Sequence, residues 1–246
     1  MVTKTESVVL RTIDYSESSQ IVTLFTRKHG IIAVIAKGAK RPKSKFAALM
    51  VPGQVLEVVV YVKPTRSVQT LSEASAMLKL DQLRIDLEKM AIATTTLELI
   101  NQVLHENEVN EPLFAFVVKF LSWVNEYEKT SRVIFPYVQL RVMELIGIGL
   151  QQDPSVDEET SAGYMNIESG TLSSKAEGDQ SIRLTWQQFI FLKKSLHSKK
   201  ESIFETDFKK SELSELIEYL DKYIRYHVEG VKPRKSDQIF EKILNN

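Results

Sequence analysis

The segments ESVVLRTI (6–13), QIVTLFT (20–26), IIAVIA (31–36), QVLEVVVYV (54–62) and SVQTLSE (67–73) decide the fold of the first third of this 246-residue chain. Each is short, rich in Val, Ile, Thr and aromatics, and either alternates with period two or runs continuously apolar, which predicts a β-strand. Turn-type clusters separate them: Tyr15-Ser16-Glu17-Ser18, His29-Gly30, the long stretch from Lys37 to Lys45, and Lys63-Pro64-Thr65-Arg66. Five short strands cannot easily cover both faces of an open sheet, so closure into a small barrel is expected. An oligonucleotide-binding (OB) barrel has that strand count. An SH3-like barrel shares it, and counting strands does not separate the two.

Beyond about residue 78 the apolar spacing turns helical. Leu80, Leu83, Leu87, Met90, Ile92, Leu97, Ile100 and Leu104 recur at intervals of two to five, predicting a long helix or a broken pair. A second helix is expected from Glu111-Pro112 through LFAFVVKFLSWVNEY (113–127), and a third from VIFPYVQLRVMELIGI (133–148), ending near Gly147 and Gly149. Residues 151–181 are acidic, Ser-rich and poor in large apolar side chains, and read as a loop-rich insert. Helical patterning resumes in TWQQFIFLKKSL (185–196), SELSELIEYLDKYIRYHV (211–228) and the terminal SDQIFEKILNN (236–246). The expected fold class is therefore α+β and multi-domain, with a barrel domain over 1–78 and a helical domain over 79–246.

Composition narrows the chemistry. The chain is 43% hydrophobic and 26% charged, which is enough for a sizeable core and excludes wholesale disorder. It contains no cysteine, so disulfides, thiolate zinc ribbons, iron–sulfur clusters and cysteine nucleophiles are excluded. No apolar run approaches the roughly 20 residues that cross a bilayer, and a cytoplasmic protein without membrane contact is expected. The net charge is zero, but residues 1–80 carry 12 Lys and Arg against 5 Asp and Glu, whereas residues 151–181 carry 1 against 7. A basic head of this kind points to a polyanion partner.

Lys37, Lys40, Arg41, Lys43 and Lys45 put five cations into nine residues between two strands. Lysines supply mobile point charges and Arg41 a bidentate fork, while Gly38 and Pro42 keep the segment irregular, so phosphates are natural partners. A solvated basic hairpin tip is the bland alternative. Arg11, Arg27, Lys28, Lys63 and Arg66 would add charge if they share that face. Among possible stacking platforms, Phe25, Phe46 and Tyr61 read as core, with Phe46 opening a barrel cap in FAALM (46–50), whereas Tyr15 lies among polar residues and reads as exposed.

Catalysis has little support. His29, His105, His197 and His227 lie far apart, and no Walker A, G-x-S-x-G or G-x-G-x-x-G motif occurs. No catalytic residue, cofactor or metal site is assigned. The basic-aromatic stretch Tyr219 to His227, followed by Lys232-Pro233-Arg234-Lys235-Ser236, reads either as a helix end complementing its dipole or as a second polyanion or partner contact. Phe114, Phe116, Phe120 and Trp123 crowd one helix, as core or as the wall of a peptide groove.

Val9-Leu10-Arg11-Thr12 with Asp14-Tyr15, Ile21 through Thr26, His29-Gly30 and Ala36 through Ser44 together resemble the head of the bacterial RecO family. Leu83 to Leu104, Leu140-Arg141 to Gly149, and Tyr226-His227 before Pro233 and Lys235-Ser236 resemble later family landmarks, so the likeness covers most of the chain. The resemblance implies an N-terminal OB barrel followed by an all-helical domain. It also implies a DNA repair and recombination mediator of the RecFOR pathway, nucleoid-associated in a bacterial cytoplasm and without enzymatic activity. Such a protein binds single- and double-stranded DNA, anneals complementary strands, engages the C-terminal tail of single-stranded DNA-binding protein, and works with RecR to load RecA. Carried over to this chain, DNA contact is expected at Lys37, Lys40, Arg41, Lys43 and Lys45, with Arg11 and Arg27 on the barrel as weaker candidates. Many family members place four zinc-binding cysteines after the helix that ends near Gly149. Here that region is cysteine-free, so a degenerate remnant without zinc is expected, with Tyr164-Met165-Asn166-Ile167 as a short apolar strand. The alternatives are a protein-interaction adaptor whose basic head meets acidic segments, and a nucleic-acid hydrolase.

Overall fold

Period-two alternation sends Val22, Leu24, Val34, Leu56, Val58 and Val60 to one side of their strands, where they form a wholly buried core with Val9. The strands are β1 (Val2–Asp14), β2 (Gln20–Thr26), β3 (Gly30–Ala36), β4 (Val55–Tyr61) and β5 (Val68–Ala76). This is a computed structural model, described over residues 1–157, 159–160, 162–197 and 201–237. The five strands close into a barrel in the order β1-β2-β3-β5-β4. β1 is long enough to pair with β4 through Val2–Val8 and with β2 through Ser7–Asp14, and all pairs are antiparallel except β3 with β5. The shared first strand and the parallel closure are OB topology, which resolves the choice that strand counting leaves open.

Two units make up the chain: residues 1–128 with a segment returning at Arg234, and residues 129–233. In the first, the helical pattern breaks at Asp86 into α1 (Gln82–Ile85) and α2 (Leu87–Val103). The Asp86 carboxylate accepts from the amides of Glu88 at 2.9 Å and Lys89 at 3.1 Å, capping α2. α3 (Glu111–Glu126) starts at Asn110, whose side chain accepts from Leu113 N at 2.9 Å, with Pro112 in the first turn. The aromatic crowding on α3 resolves into two faces. Phe114 is buried edge-on against Phe25, with ring centroids 5.4 Å apart, while Phe116, Phe120, Trp123 and Tyr127 form a column of successive ring contacts.

The second unit carries α4 (Ile134–Leu145), four short strands β6 (Gln151–Gln152), β7 (Tyr164–Asn166), β8 (Thr171–Ser173) and β9 (Ser181–Arg183), then α5 (Trp186–His197), a 3-10 turn (Glu201–Glu205) and α6 (Lys210–His227). The stretch that reads as loop-rich is thus a sheet of order β6-β8-β7-β9, and the short strand expected at Tyr164 is β7. Met165, Ile167 and Leu172 are wholly buried in it. Acids and serines outnumber such residues in this stretch, so its composition reads as loop. Among the described residues no group of three or more His, Asp or Glu side chains is arranged to hold a metal, and no helix is long and apolar enough to cross a membrane. Of the helix expected at the C-terminus, residues 238–246 lie outside the described residues.

Candidate nucleic-acid interface

The basic loop is built on an apolar plug. Between β3 and β4, Ala39, Phe46 and Met50 turn inward and close one end of the barrel core, as FAALM suggests, and the intervening cations are left outside. A chain of turn hydrogen bonds shapes the segment: Arg41 N donates to Gly38 O at 3.1 Å and Ser44 N to Arg41 O at 2.9 Å. Gly38 sits at φ +70°, a left-handed conformation that glycine adopts without cost.

Side chains tie this loop to its neighbours. Lys40 N donates to Ser18 O at 3.0 Å, and Lys40 Nζ donates to Asp14 Oδ2 at 2.7 Å, so the loop is held against the β1–β2 turn. The hydrogen bond from Lys40, supported by one from Gln20, holds the Asp14 carboxyl below its ordinary value. Lys45 Nζ donates to Ser72 O at 3.3 Å and lies over the Phe46 ring. Lys37, Arg41 and Lys43 are exposed.

On the barrel wall, β1 carries an irregularity between Val9 and Arg11. Val9 points inward, so regular alternation would send Arg11 inward as well; the extra residue, Leu10, flips Arg11 to the outer surface, where it is exposed opposite Thr23. Across β2, β3 and β5 the outward rows read Arg11, Thr23, Ala33, Val68 and Ile13, Ile21, Ile35, Thr70. Arg11 therefore shares the wall with Ile21 and Ile35.

That wall forms the floor of a cleft of about 250 Å³ lined by Tyr15, Ile21, Ile35, Lys37, Arg66 and Val68, together with Thr70. Tyr15, 62% exposed in the β1–β2 turn, stands at its edge. The turn that carries Arg66 is braced by Gln69, a largely buried residue whose amide oxygen accepts from Lys63 N at 2.7 Å and whose amide nitrogen donates to Arg66 O at 2.7 Å and Lys63 O at 3.1 Å. In an OB barrel, strands 2 and 3 with the β1–β2 and β4–β5 turns are the surfaces that bind oligonucleotides, and this cleft joins those parts.

Arg27 does not join this group. It follows β2 at the end away from Gln20, roughly 20 Å of strand from the loop, between Glu6 at 3.0 Å and Glu111 at 3.2 Å with its guanidinium over the Phe114 ring. Tyr61, which reads as core, is 50% exposed: Val58 and Val60 face inward, so Tyr61 faces out, opposite Thr70. The basic C-terminal stretch folds back on α2. Arg234 is largely buried and pairs with Asp237, and the amides of Lys235 and Ser236 donate to Glu98 at 2.8 and 2.9 Å. Three histidines have structural partners: His29 with Thr3, His197 with Gln152, and His227 with Ile167 O. Sequence reasoning misses Ile21, Ile35 and Val68 as site residues because an apolar residue in a strand reads as core. Only the parity of each strand, fixed by Val22 and Val34 inside, marks them as outward.

A family model described as Recombination protein O N terminal matches residues 1–78, and one described as Recombination protein O C terminal matches residues 84–237. Curated relatives named DNA repair protein RecO include one from Salinibacter ruber, 41% identical over 156 residues, covering 63% of this chain and 58% of the relative. Another, from Bacillus subtilis, is 36% identical over 148 residues, covering 60% of this chain and 57% of the relative. A third, from Chloroherpeton thalassium, is 28% identical over 258 residues, covering 99% of this chain and 100% of the relative. The first of these matches thus spans under two thirds of the relative's length, and the third spans all of it.

Proposed function

The chain belongs to the RecO family, and from that premise we propose that it is a DNA repair and recombination mediator that works by binding rather than by turnover. On this reading it binds single- and double-stranded DNA, promotes strand annealing, and with RecR helps load RecA onto DNA coated by single-stranded DNA-binding protein, whose C-terminal tail it engages. The observation that carries the reading is the exposed cation loop Lys37, Arg41 and Lys43 continuing into a cleft edged by Tyr15 and Arg66 on the oligonucleotide-binding side of an OB barrel. Annealing follows from the same chemistry: two strands held near one basic surface repel each other less. Contacts are assigned to Lys37, Lys40, Arg41, Lys43, Lys45 and Arg11 on the loop and wall, with Tyr15 as a stacking platform. Arg27, committed to Glu6 and Glu111, takes a structural part.

The test is fluorescence anisotropy of a labelled single-stranded oligonucleotide at low and physiological salt. Wild type binds, with affinity falling about ten-fold or more between the two salts. The triple variant Lys37→Glu/Lys40→Glu/Arg41→Glu loses binding while its circular dichroism is unchanged, and Arg27→Gln binds as wild type. Undiminished affinity in the folded triple variant refutes the loop assignment. The adaptor reading draws on the aliphatic floor of the cleft. It is favoured if folded wild type ignores the oligonucleotide and binds an acidic, apolar peptide instead.

A further inference from the structure

A surface that binds phosphates gains nothing from an acid among its cations, yet residues 1–80 hold five acids and one of them, Asp14, reaches the cation loop. Glu6 and Glu57 are taken up by Arg27 and Lys4 on the barrel wall. Asp14 instead places Oδ2 2.7 Å from Lys40 Nζ, with the ammonium also 3.5 Å from Ser16 O, while its other oxygen accepts from Gln20 Nε2 at 3.3 Å. The lysine head thus sits among oxygens of the β1–β2 turn, the kind of partner a phosphate would offer it. Backbone contacts also hold the loop: Lys40 N donates to Ser18 O at 3.0 Å and Gly38 N to Ser19 Oγ at 3.5 Å, so its placement does not rest on the ion pair alone. What the carboxylate adds is a partner for the ammonium. Lys37, Arg41 and Lys43, by contrast, are exposed with no carboxylate at ion-pair distance among the described residues.

Resting on the DNA-binding reading above, we propose that Asp14 is a built-in competitor for the strand: it occupies Lys40 in the free protein, and a phosphate gains that lysine only by displacing the carboxylate. The two side chains are 63% and 32% exposed, so the exchange takes place in contact with water, with a small difference in free energy, and runs readily in both directions. A strand already held by Lys37, Arg41 and Lys43 brings its next phosphate to Lys40 at high effective concentration and wins the exchange. When the strand leaves, the tethered carboxylate takes the lysine back. Displacement also alters the ion count. The freed carboxylate gathers a cation from solution as the phosphate gives one up, so Lys40 adds little to the salt dependence of the wild type. Asp14 therefore sets the affinity of the loop from inside the protein, without touching the nucleic acid.

The experiment is anisotropy of a labelled single-stranded oligonucleotide over a salt series with wild type, Asp14→Asn, Glu17→Gln, Lys40→Gln and the double variant Asp14→Asn/Lys40→Gln. Asparagine keeps the shape and an acceptor oxygen, so the loop stays in place. Glu17, exposed in the same turn with no cation at ion-pair distance among the described residues, controls for the loss of one negative charge. Asp14→Asn is expected to bind about three-fold tighter than wild type at low salt, with a salt slope steeper by about 0.7. Glu17→Gln gives a smaller gain with the wild-type slope, and in the Lys40→Gln background Asp14→Asn gains no more than that. An equal gain from Asp14→Asn and Glu17→Gln, or one that persists without Lys40, reduces Asp14 to general repulsion and overturns the competitor. Unchanged or weaker binding by folded Asp14→Asn overturns it as well, and each of these results leaves the DNA reading standing. Failure of folded wild type to bind the oligonucleotide at any salt overturns both.

Discussion

Asp14 ends β1 with its carboxylate accepting from Lys40 Nζ at 2.7 Å and Gln20 Nε2 at 3.3 Å. The group is exposed, so its effect is on loop position more than on stability. Because its folded pKa is depressed, the tie is intact at and above the ordinary value of 3.8 and is lost only as pH falls through the lower folded value. An NMR titration of the Asp14 carboxyl is expected to show a midpoint below 3.8 in wild type and a return toward 3.8 in Lys40→Gln; a wild-type midpoint at or above 3.8 contradicts the tie. Gln69 acts in the interior of a turn, making three hydrogen bonds to the backbone that carries Arg66. Gln69→Ala should cost about 1–2 kcal/mol in urea unfolding, since the turn lies near water that can replace part of what is lost. No change in the midpoint would mean that water replaces the amide entirely.

In β1 and in the small sheet, departures from regular patterning have a local cause. In β1 a single extra residue at Leu10 converts the parity of the second half of the strand, so that Arg11 and Ile13 face outward although Val9 faces in. The small sheet β6–β9 is held together by Asn166. Its Nδ2 donates to Ser173 Oγ at 2.8 Å, Thr171 Oγ1 at 3.2 Å and Lys175 O at 3.3 Å, and its Oδ1 accepts from Glu177 N at 3.2 Å. One buried amide thus crosslinks β7, β8 and the turn after β8, with Met165, Ile167 and Leu172 packed alongside. A sheet so small needs a staple, and a chain without cysteines makes it from hydrogen bonds. Asn166→Ala should destabilise the second unit by about 2–3 kcal/mol and expose the amides of residues 164–183 to hydrogen exchange. A chelator should leave wild-type protection there unchanged. Protection that survives the substitution would assign the staple to the apolar residues alone.

At the scale of the molecule, residues 129–233 are inserted between two segments of one unit: the chain leaves at Glu128 and returns at Arg234. The return is fastened by Glu98 on α2, whose two carboxylate oxygens each take one backbone amide, from Lys235 and Ser236. Arg234 is buried beside them with Asp237 as partner. Cations that look available for a second polyanion contact are in this way partly spent on closing the fold. Glu98→Ala should release the segment, seen as faster limited proteolysis after Pro233, with a loss of about 1 kcal/mol for a half-exposed carboxylate. Glu98→Gln, which keeps one acceptor, should fall between the two. Equal cleavage rates in all three proteins would show that packing of Arg234, not the carboxylate, holds the return.

The barrel's strand number, the change of period near residue 78, the helix start at Glu111-Pro112, and the cation loop were legible in the chain because each is a local pattern of a few residues. Family likeness was legible for the same reason, through short runs such as Ala36 to Ser44. Tertiary structure alone decided the rest. Parallel pairing of β3 with β5 made the barrel an OB barrel. The bulge at Leu10 brought Arg11 onto the wall, the pairing of Arg27 with Glu6 and Glu111 took it away, and the returning segment buried Arg234. All four depend on residues distant in sequence meeting in space, and which outward face an apolar side chain occupies is set by that pairing rather than by its own chemistry.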